Sequence, residues 1–139
     1  MSEIRVERTL SAPPERVYAA WTDPALLSRW FCPNPDVELD VTADGVVGGR
    51  YRVDMGGRYV AEGTYTALEP ARLVAFTWRW TTSTGPESHV RVELAPGEGG
   101  GTRLVLVHTD LEDDDDARGH GEGWELSLDR LERLGGAPA

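Results

Sequence analysis

The chain has 139 residues, 40% of them hydrophobic, and a formal net charge of −10, which fits a single domain able to bury a core. All fourteen cationic residues are arginines scattered along the chain, so the basic cluster that a nucleic-acid binder uses is missing. One cysteine excludes an intrachain disulfide, the stretch from Met1 to Arg8 lacks the apolar core of a signal peptide, and no apolar run approaches a membrane span. The expectation is a soluble cytoplasmic protein without nucleic-acid or membrane partners.

Ile4 to Leu10 alternates, with Ile4, Val6 and Arg8 on one face, and predicts a first strand. A turn at Ser11 to Glu15 leads into a helix from about Pro14 to Trp21 that presents Val17, Ala20 and Trp21. Thr22-Asp23-Pro24 reads as a second helix start. The Asp23 carboxylate can accept from the free N–H groups of the first turn, and Pro24 has no N–H to lose. This helix is expected to run from about Pro24 to Trp30, with Leu26, Leu27 and Trp30 on one side, and to be stopped by Pro33 and Pro35.

From Asp36 to Asp110 the hydrophobic period is near two, broken by glycine-rich turns. Strands are expected at Val37 to Val41, Gly49 to Asp54, Tyr59 to Leu68, Leu73 to Trp80, Glu87 to Leu94 and Arg103 to Thr109. Val74, Phe76, Trp78 and Trp80 share one strand face, and Leu104, Leu106 and His108 share another. The acidic run Asp113 to Asp116 suits the positive end of a terminal helix. Trp124, Leu128, Leu131 and Leu134 form its apolar stripe. Gly119, Gly121 and Gly123 weaken its first half by about 1 kcal/mol each relative to alanine, and mark a bend or a close backbone approach. The whole predicts an α+β domain spanning 1–139, with a curved antiparallel sheet wrapped around the terminal helix and two short helices after the first strand. A cavity can remain between sheet and helix.

The Thr22-Asp23-Pro24 entry, the Trp30-Phe31 exit, Gly48-Gly49-Arg50-Tyr51, the Pro70 to Trp78 segment and Gly123-Trp124 with Leu128 and Leu131 together resemble the SRPBCC (START/Bet v-like, helix-grip) superfamily. Within it the chain is similar to the branch related to the C-terminal domain of the activator of the ninety-kilodalton heat-shock chaperone ATPase. The resemblance runs from Ile4 to Leu134 and implies a helix-grip fold with a central cavity. Members of the superfamily include lipid carriers, aromatic polyketide cyclases, hormone receptors and chaperone activators. Fold analogy leaves the activity to be argued from the site. A chaperone partner is one implication, although the eukaryotic activator carries a separate N-terminal chaperone-binding domain for which these 139 residues have no room.

Candidate ligand-binding residues are those of inward parity or at element ends: Trp30, Phe31, Tyr51, Tyr65, Phe76, Trp78, Trp80, Leu106, His108, Trp124 and Leu128. The aromatics can line a pocket for a flat hydrophobic molecule or simply fill the core. His108 is the one candidate acid–base group, and Glu62 could be its partner if buried beside it. His89 has outward parity, and His120 among glycines reads as solvated. The three histidines and Cys32 have no metal-ligand spacing, so neither metal nor cofactor is expected. Arg50, Arg52 and Arg79 read as outward, Cys32 as a small apolar residue, and Glu112 to Asp116 as a solvated helix start. No nucleophile elbow, phosphate loop or dinucleotide fingerprint is present.

The leading expectation is therefore a non-catalytic domain that binds a small hydrophobic or aromatic molecule between sheet and terminal helix. The alternatives are a cyclase- or dehydratase-type enzyme using His108, and a co-chaperone that stimulates a heat-shock chaperone ATPase. The edge strand from Ile4 to Leu10 could pair across a two-fold axis in a homodimer.

Overall fold

The structure, a computed structural model, describes residues 2–32, 34, 36–57, 59–83 and 85–135. Its strands are β1 (Ser2–Leu10), β2 (Leu39–Ala43), β3 (Arg50–Met55), β4 (Tyr59–Glu69), β5 (Leu73–Trp80), β6 (Ser88–Pro96) and β7 (Thr102–Leu111). They form one antiparallel sheet in the order β1-β7-β6-β5-β4-β3-β2. The helices are α1 (Pro14–Thr22), α2 (Pro24–Leu27) and α3 (Asp114–Gly135). No described helix is long and apolar enough to cross a membrane.

Period-two alternation commits one sheet face to the core. In β6, Ser88, Val90, Val92 and Leu94 are buried while His89, Arg91 and Glu93 are exposed. Central β5 is buried at every residue from Leu73 to Trp78. Against the inner face lies α3, with Trp124, Leu128 and Leu131 buried. Inward Arg8 of β1 reaches Glu125 at 3.0 Å and Asp129 at 2.7 Å on α3, which explains a cation on an otherwise apolar face.

Asp23 caps α2 as expected, its carboxylate accepting from Ala25 N–H at 2.9 Å. The helix ends at Leu27, three residues before the expected Trp30. Two interactions turn the chain early. The Trp30 indole donates to the Ala20 carbonyl of α1 at 2.9 Å, with its ring 4.6 Å from that of Trp21. Arg130 of α3 then donates to the carbonyls of Arg29 (2.9 Å) and Cys32 (2.7 Å), taking the place of further helical turns. Pro33 and Pro35, expected to stop this helix, lie outside the described residues.

Gly63 is a fixed point of the sheet. It pairs with Tyr51, whose ring covers it and whose hydroxyl donates to the Thr77 carbonyl at 2.5 Å. A Cβ at residue 63 would sit 2.0 Å from the Thr77 oxygen and 2.7 Å from the Tyr51 ring. Gly63→Ala should therefore lower stability by about 3 kcal/mol, read as a lower urea midpoint at unchanged slope. A loss under about 0.5 kcal/mol would show that the sheet yields there without strain.

Candidate functional site

A cavity of about 450 Å³ opens between the first half of α3 and the adjoining ends of β3, β4 and β5. Phe31, Cys32, Asn34 and Val37 wall it from the chain after α2; Met55, Tyr59, Trp78 and Trp80 wall it from the sheet. Its remaining wall is one face of α3, because Asp116, Gly119, His120, Gly123, Trp124 and Ser127 recur at spacings of three and four. Phe31, Trp78 and Trp124 form a contiguous aromatic wall with ring centroids 5.5–5.8 Å apart. Trp80 extends it, 5.3 Å from Trp78 and 5.9 Å from Tyr59. Gly119 contributes space: a Cβ there would meet nothing within 4 Å. The volume falls in the range of small-molecule sites, and the walls have the usual apolar character.

His108 is fully buried behind this wall. Trp124 Nε1–H donates to its Nδ1 at 3.1 Å. An indole can only donate, so Nδ1 carries the lone pair and Nε2 the proton. That Nε2–H donates to Ser88 Oγ at 2.7 Å, and the Ser88 hydroxyl donates to the Trp78 carbonyl at 3.1 Å. Both ring nitrogens are thus engaged inside the protein. Burial, with smaller contributions from His120 and His89, lowers the His108 pKa from 6.5 to about 3. Glu62 is not its partner. It lies on the outer face, paired across the sheet with Arg52 and Arg79 and 3.9 Å from the Arg50 guanidinium.

His120 corrects the expectation of a solvated histidine. Its ring lies in the cavity wall, 5.0 Å from His108 and 6.2 Å from Trp80 by centroid. Its Nδ1–H donates to the Asp116 carbonyl at 2.9 Å, and the Asp116 carboxylate is 3.2 Å away. Its Nε2 is buried without a hydrogen-bond partner, as is Trp78 Nε1. Asp116 also belongs to the helix cap: the Asp113 carboxylate accepts from Asp116 N–H at 2.8 Å, and the Asp116 carboxylate accepts from Glu112 N–H at 3.2 Å. The acidic run is thus a helix start, and two of its members, Asp115 and Asp116, also line the cavity.

Of the eleven residues singled out from the sequence, Phe31, Trp78, Trp80 and Trp124 line this cavity. Trp30, Leu106 and Leu128 are fully buried in the core. Tyr51, Tyr65 and Phe76 instead surround a cleft of about 10 Å³ with Trp21, too small for a ligand. Their hydroxyls are spent internally, Tyr51 on the Thr77 carbonyl and Tyr65 on the Trp21 carbonyl (2.8 Å), and burial raises both tyrosine pKa values. Cys32 is buried at the cavity wall. Among the described residues no group of three or more His, Cys, Asp or Glu side chains is arranged to hold a metal ion.

The family model described as "Activator of Hsp90 ATPase homolog 1-like protein" matches residues 11–136. The chain belongs to this family. Protein CV1439 from Chromobacterium violaceum is 31% identical over 98% of each chain, with a TM-score of 0.87. The AHSA1 protein SPO3351 from Silicibacter pomeroyi is 31% identical over 96% of each chain, with a TM-score of 0.79. CalU16 from Micromonospora echinospora is 28% identical over 96% of this chain and 76% of its own, with a TM-score of 0.68. None of the curated proteins matches the chain. The relatives share the SRPBCC-type fold: an open curved sheet and a long C-terminal helix.

The neutral His108 makes this packing sensitive to acid in a calculable way. The unfolded histidine takes up a proton near pH 6.5, whereas the folded ring resists protonation down to about 3. The contribution to stability is complete above the unfolded pKa and is lost as pH falls from 6.5 toward 3. Its slope is up to about 1.4 kcal/mol per pH unit. Urea titrations at neutral and mildly acidic pH should show His108→Gln losing less stability on acidification than the parent. Parallel losses in the two proteins would assign the acid sensitivity elsewhere.

Proposed function

We propose that this protein binds a small, flat, mostly apolar molecule in the cavity between α3 and the ends of β3, β4 and β5. The observation that carries this reading is the aromatic cavity of about 450 Å³, whose wall residues Phe31, Trp78, Trp80 and Trp124 present ring surface to a space no side chain fills. Apolar ring surface of this kind gains free energy whenever a ligand removes it from water, by about 25 cal/mol per Å². Membership of a helix-grip family is consistent with such a site. Acid–base catalysis through His108 would have to use a ring whose nitrogens are both engaged. Stimulation of a chaperone ATPase draws on the family's description alone.

Native mass spectrometry of the freshly purified protein, followed by denaturing extraction, tests the reading directly. Its matched control is Gly119→Leu. The leucine enters open space on the cavity wall and raises helix propensity by close to 1 kcal/mol. The variant should keep or gain thermal stability while losing any co-purified or added apolar ligand. A variant that folds and still carries the ligand would exclude this cavity as the site, and a parent that takes up no apolar ligand would exclude the function.

A further inference from the structure

The depth and the mouth of the cavity differ in chemistry. The depth is indole and phenyl surface, chiefly Phe31, Trp78, Trp80 and Trp124. At the mouth stand the carboxylates of Asp115 and Asp116, with side chains 88% and 37% exposed. No cationic side chain is among the described lining residues, and the chain contains no lysine. Asp115 meets Arg118 at 3.4 Å on the open helix surface, a solvated pair of little strength. His120 adds an independent feature on the wall. Its Nδ1–H is committed to the Asp116 carbonyl, and its Nε2, like Trp78 Nε1, is buried without a partner. Among the described residues the cavity lining thus carries carboxylates and no cationic side chain.

Resting on the binding function proposed above, we infer that the ligand is an aromatic amine or similar flat organic cation, its rings among the tryptophans and its ammonium toward Asp115 and Asp116. A cation is drawn to the negative faces of indole rings, most strongly where water is partly excluded. A cleft with low-dielectric walls and carboxylates at its mouth concentrates ligands of the opposite sign. A carboxylate of the same shape meets like charge at the mouth and finds no arginine or lysine on the described wall. Asp115 and Asp116 are on this account specificity-determining residues, while the aromatic wall supplies most of the affinity.

Isothermal titration with naphthylmethylamine, naphthylmethanol and naphthoate near neutral pH tests the inference on one ring system. The amine should bind about fivefold more tightly than the alcohol, and naphthoate should bind most weakly. The double variant Asp115→Asn with Asp116→Asn, whose amide oxygen still accepts at the helix cap, should bring the amine-to-alcohol ratio toward one. Glu69→Gln with Glu98→Gln removes the same charge from exposed positions at the opposite end of the sheet and should leave the ratio unchanged. Naphthoate binding as tightly as the amine, or both double variants shifting the ratio equally, would overturn the inference. If the alcohol binds and the amine gains nothing, the ligand class is wrong while the binding function stands. If none of the three probes binds, the binding function itself fails and the inference falls with it.

Discussion

One hydrogen bond, from the Trp124 indole to His108 Nδ1, fixes how the terminal helix sits on the sheet. By itself such a bond contributes about 1 kcal/mol, but orphaning a buried partner costs about 1–3 kcal/mol. Here the bond heads a relay from Trp124 through His108 and Ser88 to the Trp78 carbonyl, so losing one member strands the next. Rotating α3 by one residue would swing Trp124 by about 100° away from His108. The relay thus sets the helix register. Because the Trp78 and Trp124 rings are also cavity walls, it sets the shape of the site as well.

The two halves of α3 solve different problems. The second half behaves as a packing helix: Leu128 and Leu131 are buried, Arg130 holds the chain after α2, and Glu132 accepts from Ser11. In the first half, glycines replace side chains. Gly121 faces Ile4, where an added Cβ would make ordinary contact at 3.7 Å, whereas Gly119 faces open space. The rings at the end of β5 meet Trp124 and His120 of α3 but no side chain at Gly119, and the space beside them persists as a cavity. The helix tolerates three glycines in this half because its start is well capped by Asp113 and Asp116.

Most of the fold was legible because period-two alternation and capping chemistry are local. Leu73 to Trp80 was bounded to the residue, and the inward parity of Leu104, Leu106 and His108 was correct. Parity, however, tells only which face a residue takes. Whether an inward histidine meets a cavity or a sealed core depends on what the helix places over it, and that is a tertiary fact. This is why His108 looked like the polar group of a site and His120 did not. One local signal for His120 was available: it lies four residues before Trp124, in line with Leu128 and Leu131, so its helical face is the buried one. Its glycine neighbours pulled the reading toward solvent. The early end of α2 was illegible for a similar reason, since it depends on Arg130, about a hundred residues away in sequence.

Glycine at residue 119 is the point where stability and binding meet. Glycines such as Gly63 are required by the close approach of backbone atoms, but nothing of the kind applies to Gly119. In mid-helix it costs close to 1 kcal/mol relative to alanine, and the adjoining rings of the cavity wall lack partners on one side. A molecule that binds only the folded state returns stability by mass action, about 2.7 kcal/mol at a hundredfold excess over its dissociation constant. On the proposed binding function, the empty form is the less stable one and a bound molecule would complete the core that the first half of α3 leaves open. Occupancy of the cavity and rigidity of the helix start are then linked quantities. The carboxylate of Asp116 belongs to both, because it accepts from Glu112 N–H at the helix start and lines the cavity.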